Sequence, residues 1–414
     1  MTGSGRSLLR RSMVVLSLAA LTVAGSVMVN TAAGAAVPLA AGVEDDGADC
    51  AVTLPSSTPS NAMLPDPFTK INGTRVTTKA DWRCRREEIK KLAEKTIYGE
   101  KPTNATVTGT VTSSRITANV TANGRTVTIS ASVSLPSGTG PFPGVFVVGG
   151  FGDTNTIKAA GAAIINYDPL AVGKEGTSRS NKQGAFYTLY GSTSTTGLLA
   201  AWAWGVSRLI DVIAQSDGRV LIADRSGVTG CSRYGKAAFA IGVFDQRIAL
   251  TIPVESGSGG VSAFRAIARD GGAQPLSSTY NEQPWLGDAF GGYVNNPNGL
   301  PVDTHEMVGM VAPRGLLILD NPAIAWLGAR NAAIAATAGM EVYKALGASS
   351  ALTYTSTTSN GNHCAIRSEW NAPTTNNVKK FLVGTGTGAT GGISVSGGAP
   401  DMSSWKNWTT PTLG

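Results

Sequence analysis

The sequence predicts an α/β protein: a doubly wound, mostly parallel sheet with antiparallel strands at its N-terminal edge and helices on both faces, which makes a three-layer sandwich. Residues 105–135 alternate Val, Ile and Thr with polar residues, as antiparallel strands with one solvated face do. From residue 144 onward, short continuous apolar runs replace this alternation, as buried parallel strands require. Helical patterns separate those runs, which implies right-handed crossovers.

The individual elements follow in chain order. An amphipathic helix is predicted over residues 79–98, because Trp82, Ile89 and Leu92 recur at helical spacing and Gly99 provides a stop. The remaining predicted elements are helices at 197–213 and 332–346, and strands at 144–149, 162–167, 226–230, 248–254, 315–319 and 351–355.

The N-terminus has the features of a secretory signal peptide. Arginines precede an apolar run at residues 13–29, and small residues follow at 33–35. We therefore predict a signal peptide at residues 1–35 and a secreted, extracellular protein. No membrane span is expected, because the apolar run is short and diluted by Ala, Gly and Ser. Residues 36–60 are rich in Ala, Ser, Thr and Pro, which predicts a flexible or loosely docked lead-in.

Residues 61–414 are predicted to form a single domain. The chain has 414 residues, 42% of them hydrophobic and 15% charged, which is enough apolar material for a large core. The Gly/Thr/Ser-rich stretch 384–398 is typical of a linker, but the tail after it is too short for a second domain. We therefore expect Trp405 and Trp408 in this tail to pack onto the core. We also expect the protein to be a monomer.

Charge and motif content argue against nucleic acid and metal. The formal net charge is +7, three of the positive charges lie in the predicted signal peptide, and the others are scattered. The sequence has no phosphate-binding Gly-Lys-Ser/Thr loop and no zinc-type Cys/His spacing. We therefore predict no nucleic-acid partner and no metal site.

Two of the four cysteines stand directly beside a serine and a histidine. Cys231 precedes Ser232, and Cys364 follows His363, although the serine and the histidine are 131 positions apart. A disulfide holds its two Cα atoms within roughly 4.4 to 6.8 Å. Bridging these cysteines would therefore bring a hydroxyl and an imidazole together, as an activated nucleophile requires.

Four cysteines allow three pairings, and an exported chain favours disulfides over free buried thiols. We favour Cys50 with Cys84 and Cys231 with Cys364. The chain contains only two histidines, and the second, His305, has no such tether. We therefore assign His305 a structural role and no catalysis.

The turn at residues 230–236, Gly-Cys-Ser-Arg-Tyr-Gly-Lys, lies where a predicted strand ends and a helix begins. It resembles the turn that presents the nucleophile in α/β-hydrolases, with the second glycine one residue later than in Gly-x-Ser-x-Gly. Taken alone, the pattern also fits a Ser/Gly turn that caps a helix. The strand context, His363 and the cysteines favour the nucleophile.

Residues 230–236, the Glu-Ser-Gly-Ser-Gly-Gly at 255–260 and the Asn-His-Cys at 362–364 resemble the signature blocks of the glucuronoyl esterases. Members of this family are secreted α/β-hydrolases without cofactors. They cleave the ester between 4-O-methyl-glucuronic acid on xylan and lignin alcohols. The resemblance implies this fold and activity, no cofactor, and a glucuronoxylan–lignin ester as substrate. Further similar segments, which extend it over nearly the whole mature chain, are 64–68, 186–191, 201–205 and 408–413.

By this resemblance Ser232 is the nucleophile, His363 the general base and Glu255 the acid that orients the base, with a disulfide beside nucleophile and base. Glu255 follows a predicted strand, a position from which a carboxylate can reach the imidazole. Asp320 is the alternative acid, because it follows the strand 315–319, where many α/β-hydrolases carry this residue.

The resemblance also implies a set of binding residues. Arg233 would stabilise the oxyanion, and a guanidinium suits a uronate, whose carboxylate it can grip in bidentate fashion. Lys236, Gln274 and Glu282 would bind sugar hydroxyls, and Trp326 the ring or its methoxy group. The alternatives are an ordinary surface salt bridge for Arg233 and a solvent-facing side chain for Lys236.

The predicted function is therefore a secreted serine esterase. The nearest rival is another carbohydrate esterase, such as an acetyl xylan esterase, but an acetyl group would give Arg233, Lys236 and Glu282 little to bind. A second rival is a non-catalytic polysaccharide-binding protein with the same fold, which the complete set of Ser232, His363 and Glu255 disfavours.

Overall fold

The computed structural model describes Met1 and residues 42–414, so the predicted signal peptide beyond Met1 and the start of the lead-in lie outside the described residues. Residues 42–414 belong to one compact unit. Within them, a ten-stranded sheet is covered by helices, and the strand order is β1-β2-β3-β5-β4-β6-β7-β8-β9-β10. In this part of the chain we find no helix with both the length and the apolar character needed to cross a bilayer.

The sheet is antiparallel at one edge and parallel elsewhere. The first three strands pair antiparallel, and β3 joins β5 in the same manner. All later pairings are parallel, which confirms the predicted fold class. The strands are β1 (Thr106–Val111), β2 (Arg115–Ala122), β3 (Arg125–Ser134), β4 (Phe142–Val148), β5 (Ala163–Tyr167), β6 (Leu221–Cys231), β7 (Ile248–Val254), β8 (Gly315–Leu319), β9 (Leu352–Ser356) and β10 (Gly392–Val395).

The helices lie before, between and after the strands. The α-helices are α1 (Lys79–Ala93), α2 (Thr154–Ala159), α3 (Ala185–Tyr190), α4 (Leu198–Gln215), α5 (Arg233–Phe244), α6 (Phe264–Asp270), α7 (Leu276–Glu282), α8 (Thr304–Val311), α9 (Ala329–Ala345) and α10 (Asn371–Val378). Two π-helical turns cover Glu94–Tyr98 and Lys379–Val383, and short 3₁₀ turns cover Pro169–Ala171, Asp288–Gly292, Pro297–Gly299, Ala325–Leu327, Ser349–Ala351 and Ser368–Trp370.

The helix predicted over residues 79–98 is present, and Gly99 ends it as predicted. Thr78 and Asp81 form a capping box at the start of α1, which satisfies backbone N–H groups that have no intrahelical partner. The helix continues as a π-helical turn to Tyr98. Gly99 then ends it with φ of 78°, and a Cβ there would lie 2.3 Å from the Cα of Thr196. Only glycine permits this approach.

The central strands bring the candidate residues to one edge of the sheet. Strands β6, β7 and β8 are neighbours and run parallel. Ser232 directly follows β6, Glu255 follows β7, and Asp320 follows β8. Because the carboxyl ends of parallel strands meet at the same edge, this edge is where a binding crevice forms in open α/β sheets.

The predicted linker 384–398 contains a strand, so that prediction is wrong for its second half. Strand β10 pairs parallel with β9 at the sheet edge. The stretch is Gly/Thr/Ser-rich and lacks a continuous apolar run, so backbone pairing rather than side-chain pattern makes the strand. Beyond it, Trp405 and Trp408 are buried, which confirms that the tail packs onto the core.

The described part of the lead-in is attached to the domain by ion pairs and a disulfide. Glu44 pairs with Lys101 and Arg208 and lies 3.6 Å from Arg247. Burial raises the pKa of Glu44, but these cations outweigh burial and lower it. The favoured disulfide, Cys50–Cys84, is present, with Cα atoms 5.4 Å apart. Ion pairs to buried cations and a covalent link therefore hold this segment, although its composition gives no sign of these contacts.

We expect Glu44→Ala to lower the free energy of unfolding by about 3 kcal/mol, because it leaves the buried ammonium of Lys101 without its carboxylate. Chemical denaturation measures this. Asp49→Ala is the matched control in the same segment, since the side chain of Asp49 is 72% exposed in its pair with Arg83. It should leave the midpoint nearly unchanged. Equal losses in both variants would contradict the anchoring role of Glu44.

Candidate active site

Ser232 occupies a strained turn between β6 and α5. Its φ of 60° and ψ of −127° lie where L-residues other than glycine are rare. The Ser232 N–H donates to the carbonyl of Val254 at 3.0 Å, and the Ser232 carbonyl accepts from the N–H of Lys236 at 3.0 Å. The two backbone bonds hold the turn, which exposes the hydroxyl at the carboxyl end of the sheet.

The two glycines that flank Ser232 are needed for close approach. A Cβ on Gly230 would lie 2.3 Å from the carbonyl oxygen of Tyr234, and one on Gly235 would lie 2.5 Å from that of Val254. Real Cβ contacts do not come this close, so any larger residue would push the helix from the sheet. The two glycines are therefore required by the close packing of α5 against the sheet.

Glu255 and His363 form the central polar contact of the site. His363 Nδ1 lies 2.6 Å from Glu255 Oε2, which also accepts from the N–H of Cys364 at 2.6 Å. The other carboxylate oxygen accepts from Asn321 Nδ2 at 3.0 Å and from Arg367 Nη2 at 3.2 Å. Burial raises the pKa of Glu255, but these donors outweigh burial and lower it. The buried carboxylate therefore stays ionised beside the imidazole.

Asp320 lies in a different environment. It accepts from the N–H of Asn321 at 2.9 Å and from the hydroxyl of Tyr354 at 3.4 Å. Burial and the nearby charge of Glu255 raise the pKa of Asp320 to about 7. In the described part of the chain it makes no hydrogen bond to His363, so the geometry favours Glu255 as the partner of the imidazole.

The second favoured disulfide, Cys231–Cys364, is present, with Cα atoms 5.7 Å apart. It places the serine and the imidazole on the walls of the same cleft. Among the described residues, Ser232 Oγ forms no hydrogen bond to His363, and such bonds often tighten only with substrate. Cys231, Glu255, His363 and Cys364 have potential ligand atoms within 4.8 Å of one another, but the bonded sulfurs offer no thiolate to a metal.

All predicted catalytic and substrate-binding residues except Glu255 and Asp320 line one cleft of about 510 Å³. A second cleft has a volume of about 370 Å³ and shares Ser232, Arg233 and His363 with the first. The first cleft, called the polar cleft below, is lined by Ser232, Arg233, Lys236, Ala273, Gln274, Pro275, Glu282, Trp285, Trp326 and His363.

The polar residues of this cleft are held in fixed positions. Lys236 is only 4% exposed and its Nζ donates to the carbonyl of Ser256 at 2.7 Å, so the solvent-facing alternative is wrong. Burial lowers the pKa of Lys236 to about 8. Gln274 Nε2 donates to Glu282 Oε2 at 2.8 Å, which brings an amide and a carboxylate together at the cleft wall.

Two tryptophans flank these polar groups. Trp326 is 46% exposed and packs edge-on against the His363 ring, with centroids 4.8 Å apart. Trp285 was not predicted, yet it is buried in the cleft wall and lies 5.4 Å below the Lys236 ammonium. Its position three residues after the predicted Glu282 is the one sequence signal that points to it.

Arg233 pairs with Glu175 at 3.0 Å. The predicted alternative of a salt bridge is therefore realised, but the arginine also lines both clefts. Burial lowers the pKa of Arg233, but the contact with Glu175 outweighs burial and raises it. Glu175 stands in a loop without periodic pattern or motif, so sequence reasoning had no signal for it.

His305 lies outside both clefts. Its Nε2 is 2.8 Å from the carbonyl of Pro65, and its ring stacks on Trp408. Burial lowers the pKa of His305 to about 4, so it stays neutral at ordinary pH. These contacts are structural and join the N-terminal part of the domain to its C-terminal tail.

A family model and a known enzyme both match the sequence of this chain. The sequence model of the family described as "Glucuronyl esterase, fungi" matches residues 118–347. The chain is 37% identical over 375 residues to the 4-O-methyl-glucuronoyl methylesterase of Hypocrea jecorina, an alignment that covers 89% of this chain and 80% of that protein.

Solved structures are also similar. The glucuronoyl esterase catalytic domain from Hypocrea jecorina superposes with a TM-score of 0.81 at 36% identity, over 87% of this chain and 100% of that one. A serine-to-alanine variant of the glucuronoyl esterase from Sporotrichum thermophile, in complex with methyl 4-O-methyl-beta-D-glucopyranuronate, has a TM-score of 0.81 at 35% identity, over 88% and 100% of the chains.

We expect the Nδ1 proton of His363 to give a far-downfield NMR signal, because its short hydrogen bond ends on an ionised carboxylate. In Glu255→Gln this signal should move upfield, and in Asp320→Asn it should stay. The chain has only two histidines, so the assignment is simple. A signal that moves in Asp320→Asn and stays in Glu255→Gln would reverse the choice between the two acids.

Proposed function

The chain belongs to the glucuronoyl esterase family, and we propose that it hydrolyses esters of glucuronic acid through Ser232, His363 and Glu255. Family membership confirms the predicted resemblance, the α/β-hydrolase type of fold and the class of enzyme, a carboxylic ester hydrolase. The observation that carries the proposed mechanism is the 2.6 Å contact of Glu255 with an imidazole that shares a cleft with the serine hydroxyl.

The reaction proceeds in two steps. Ser232 Oγ attacks the ester carbonyl carbon while His363 Nε2 accepts the hydroxyl proton, and a tetrahedral intermediate forms. The bond to the alcohol oxygen then breaks, and His363 returns the proton to the departing alcohol. In the second step His363 takes a proton from water, which attacks the acyl carbon. The bond to Ser232 Oγ then breaks, His363 returns the proton to Oγ, and the glucuronate leaves. Glu255 stays ionised throughout and stabilises the transient imidazolium.

Arg233 supplies charge stabilisation for the tetrahedral intermediate. Its N–H occupies the first position of α5, where no intrahelical acceptor exists. The guanidinium lies in both clefts next to the serine. Removing a donor of this kind from an oxyanion hole costs about 3 to 4 kcal/mol of transition-state stabilisation. The backbone and side chain of one residue thus act on the same oxygen.

The polar cleft is the proposed site for the acyl part of the substrate. Its volume of about 510 Å³ suits a small ligand such as a single sugar residue. Lys236, Gln274 and Glu282 offer the donors and acceptors that adjacent hydroxyls need, and Trp326 offers an apolar face for the ring or its methoxy group. The similar enzyme from Sporotrichum thermophile binds a methyl glucuronate ester, which supports this use of the cleft.

The proposal also covers the polymers that carry the ester, the location of the protein and its oligomeric state. We infer that the uronate is carried by glucuronoxylan and the alcohol by lignin, with the alcohol in the second cleft beside Phe151 and Tyr234. Two disulfides and the predicted signal peptide support secretion. We propose a monomer whose catalytic domain comprises residues 61–414.

Replacing Ser232 by Ala should lower the rate of hydrolysis of benzyl glucuronate on the order of 10⁶-fold, because no other group can form the acyl-enzyme. Release of the acid measured at constant pH reports the rate. If Ser232→Ala hydrolysed the ester at the wild-type rate, the mechanism would be lost.

An acetylated xylan fragment serves as the control substrate for the wild-type enzyme. It should be cleaved far more slowly than benzyl glucuronate, since an acetyl group has no hydroxyls for Lys236, Gln274 and Glu282 to bind. Faster cleavage of the acetyl ester would favour an acetyl xylan esterase instead.

The pKa of Lys236 predicts a pH dependence of substrate binding. Below about pH 8 the side chain is charged, and as the pH rises through about 8 it loses its proton and its ability to donate strongly to a sugar hydroxyl. The KM of the wild-type enzyme should therefore rise between pH 7 and 9.5. Lys236→Met should raise KM at pH 7 by roughly 10-fold and remove this rise. A variant that keeps the wild-type rise would contradict the role of Lys236.

A further inference from the structure

The guanidinium of Arg233 is held from one side. The side chain is 43% exposed, and among the described residues its protein hydrogen-bond acceptor is Glu175. A guanidinium carries five N–H donors, and the contact with Glu175 Oε2 at 3.0 Å uses one nitrogen, Nη1. The remaining donors are left for a ligand in the clefts. A half-exposed side chain thus has one hydrogen-bonded contact to orient it, next to the Trp285 ring, whose centroid lies 5.9 Å from the Arg233 Cζ.

Both oxygens of Glu175 are engaged in this arrangement. While Oε2 accepts from Arg233, Oε1 accepts from Trp285 Nε1 at 2.6 Å. The Glu175 side chain is 13% exposed and Trp285 is 2% exposed, so the carboxylate has a rigid support. In the part of the chain that the structure describes, Glu175 lines neither cleft. It reaches the reaction through Arg233 and not by touching substrate.

The loop that carries Glu175 is fixed to the segment that carries Trp285. The Gly176 N–H donates to Gln283 Oε1 at 2.6 Å. Arg179 donates to the carbonyl of Leu286 at 2.7 Å. The buried ammonium of Lys182 pairs with Asp288 at 3.0 Å. Several polar contacts therefore fix the position of the Glu175 carboxylate relative to the Trp285 indole. An isolated surface ion pair would lack this support.

We propose that Glu175, supported by Trp285, is a positioning residue that holds the Arg233 guanidinium where the oxyanion forms. This inference rests on the proposed function, because it assigns Glu175 to the same reaction. Misplacing a catalytic group by an ångström can cost roughly 100-fold in rate. A half-exposed arginine released from its carboxylate would sample several rotamers, of which few place it against the oxyanion.

The sign of the rate change separates positioning from a simple charge effect. Glu175 offsets the positive charge of Arg233, so a purely electrostatic role predicts that removing the carboxylate would strengthen oxyanion stabilisation and raise kcat. Loss of positioning predicts the opposite. Glu175→Gln is the suitable variant, because a carboxylate accepts from both neighbouring donors, whereas an amide has only one acceptor oxygen and turns an N–H₂ group toward the other donor.

The test measures kcat and KM of the full-length enzyme on methyl glucuronate. Glu175→Gln should lower kcat by roughly 10- to 100-fold with KM changed by no more than about twofold. Glu175→Asp, which keeps both acceptor oxygens, should recover part of the loss. The matched control is Glu341→Gln, since Glu341 is 14% exposed and pairs with Lys344 at 3.0 Å outside both clefts. It should keep wild-type kcat.

A double-mutant cycle identifies the route of the effect. In an Arg233→Ala background, Glu175→Gln should lower kcat by no more than about twofold further, because the group it positions is gone. Independent, multiplying losses would overturn the proposal, and so would a kcat that rises in Glu175→Gln. If the thermal midpoint of Glu175→Gln shows that this variant does not fold, Glu175→Asp takes its place in the same cycle. An inactive wild-type enzyme would instead contradict the proposed function.

Discussion

The covalent link between Cys231 and Cys364 is the constraint on which the site depends. It joins the end of β6 to a loop beyond β9, across a sequence separation of 133, and holds the two Cα atoms 5.7 Å apart. The loop around His363 has no regular secondary structure, so sheet and helix hydrogen bonds do not position the imidazole. The disulfide does so directly, because each cysteine is a chain neighbour of one reacting residue. It also restricts the unfolded chain, which adds stability. One bond thus serves both the fold and the geometry of the nucleophile and base.

Backbone strain is concentrated at the same place. Among the described residues, four that are not glycine have positive φ, and three of them, Ser232, Glu255 and Cys364, belong to this site. Such conformations cost free energy and persist only where the surroundings over-determine them. Here the surroundings are the parallel strands, the disulfide and the hydrogen bond from the Cys364 N–H to Glu255 at 2.6 Å. The buried sheet therefore supports a turn, an acid and a base that local preferences would not produce.

Two buried carboxylates at neighbouring strand ends show how environment assigns roles. Glu255 receives donors from a histidine, a backbone amide, an asparagine and an arginine, and its pKa is lowered despite burial. Asp320 receives fewer donors, and burial raises its pKa to about 7. The same residue chemistry thus yields an anion beside the imidazole and a second group that is partly protonated at neutral pH. Hydrogen-bond donors, rather than depth alone, make this difference.

Local patterns were sufficient for much of this protein. Continuous apolar strands, the glycines around Ser232 and the paired Ser–Cys and His–Cys neighbours predicted the sheet, the turn and the disulfide, because each leaves a short-range signature in the sequence. The family resemblance placed Lys236 and Glu282 in one cleft. Tertiary structure alone decided what depends on contacts between distant segments. Strand β10 forms by backbone pairing in a stretch without an apolar pattern, Glu44 anchors the lead-in to buried cations, and Glu175 and Trp285 meet Arg233 from separate loops. Partners of this kind are selected by three-dimensional packing, and their side chains leave no periodic or motif signal along the chain.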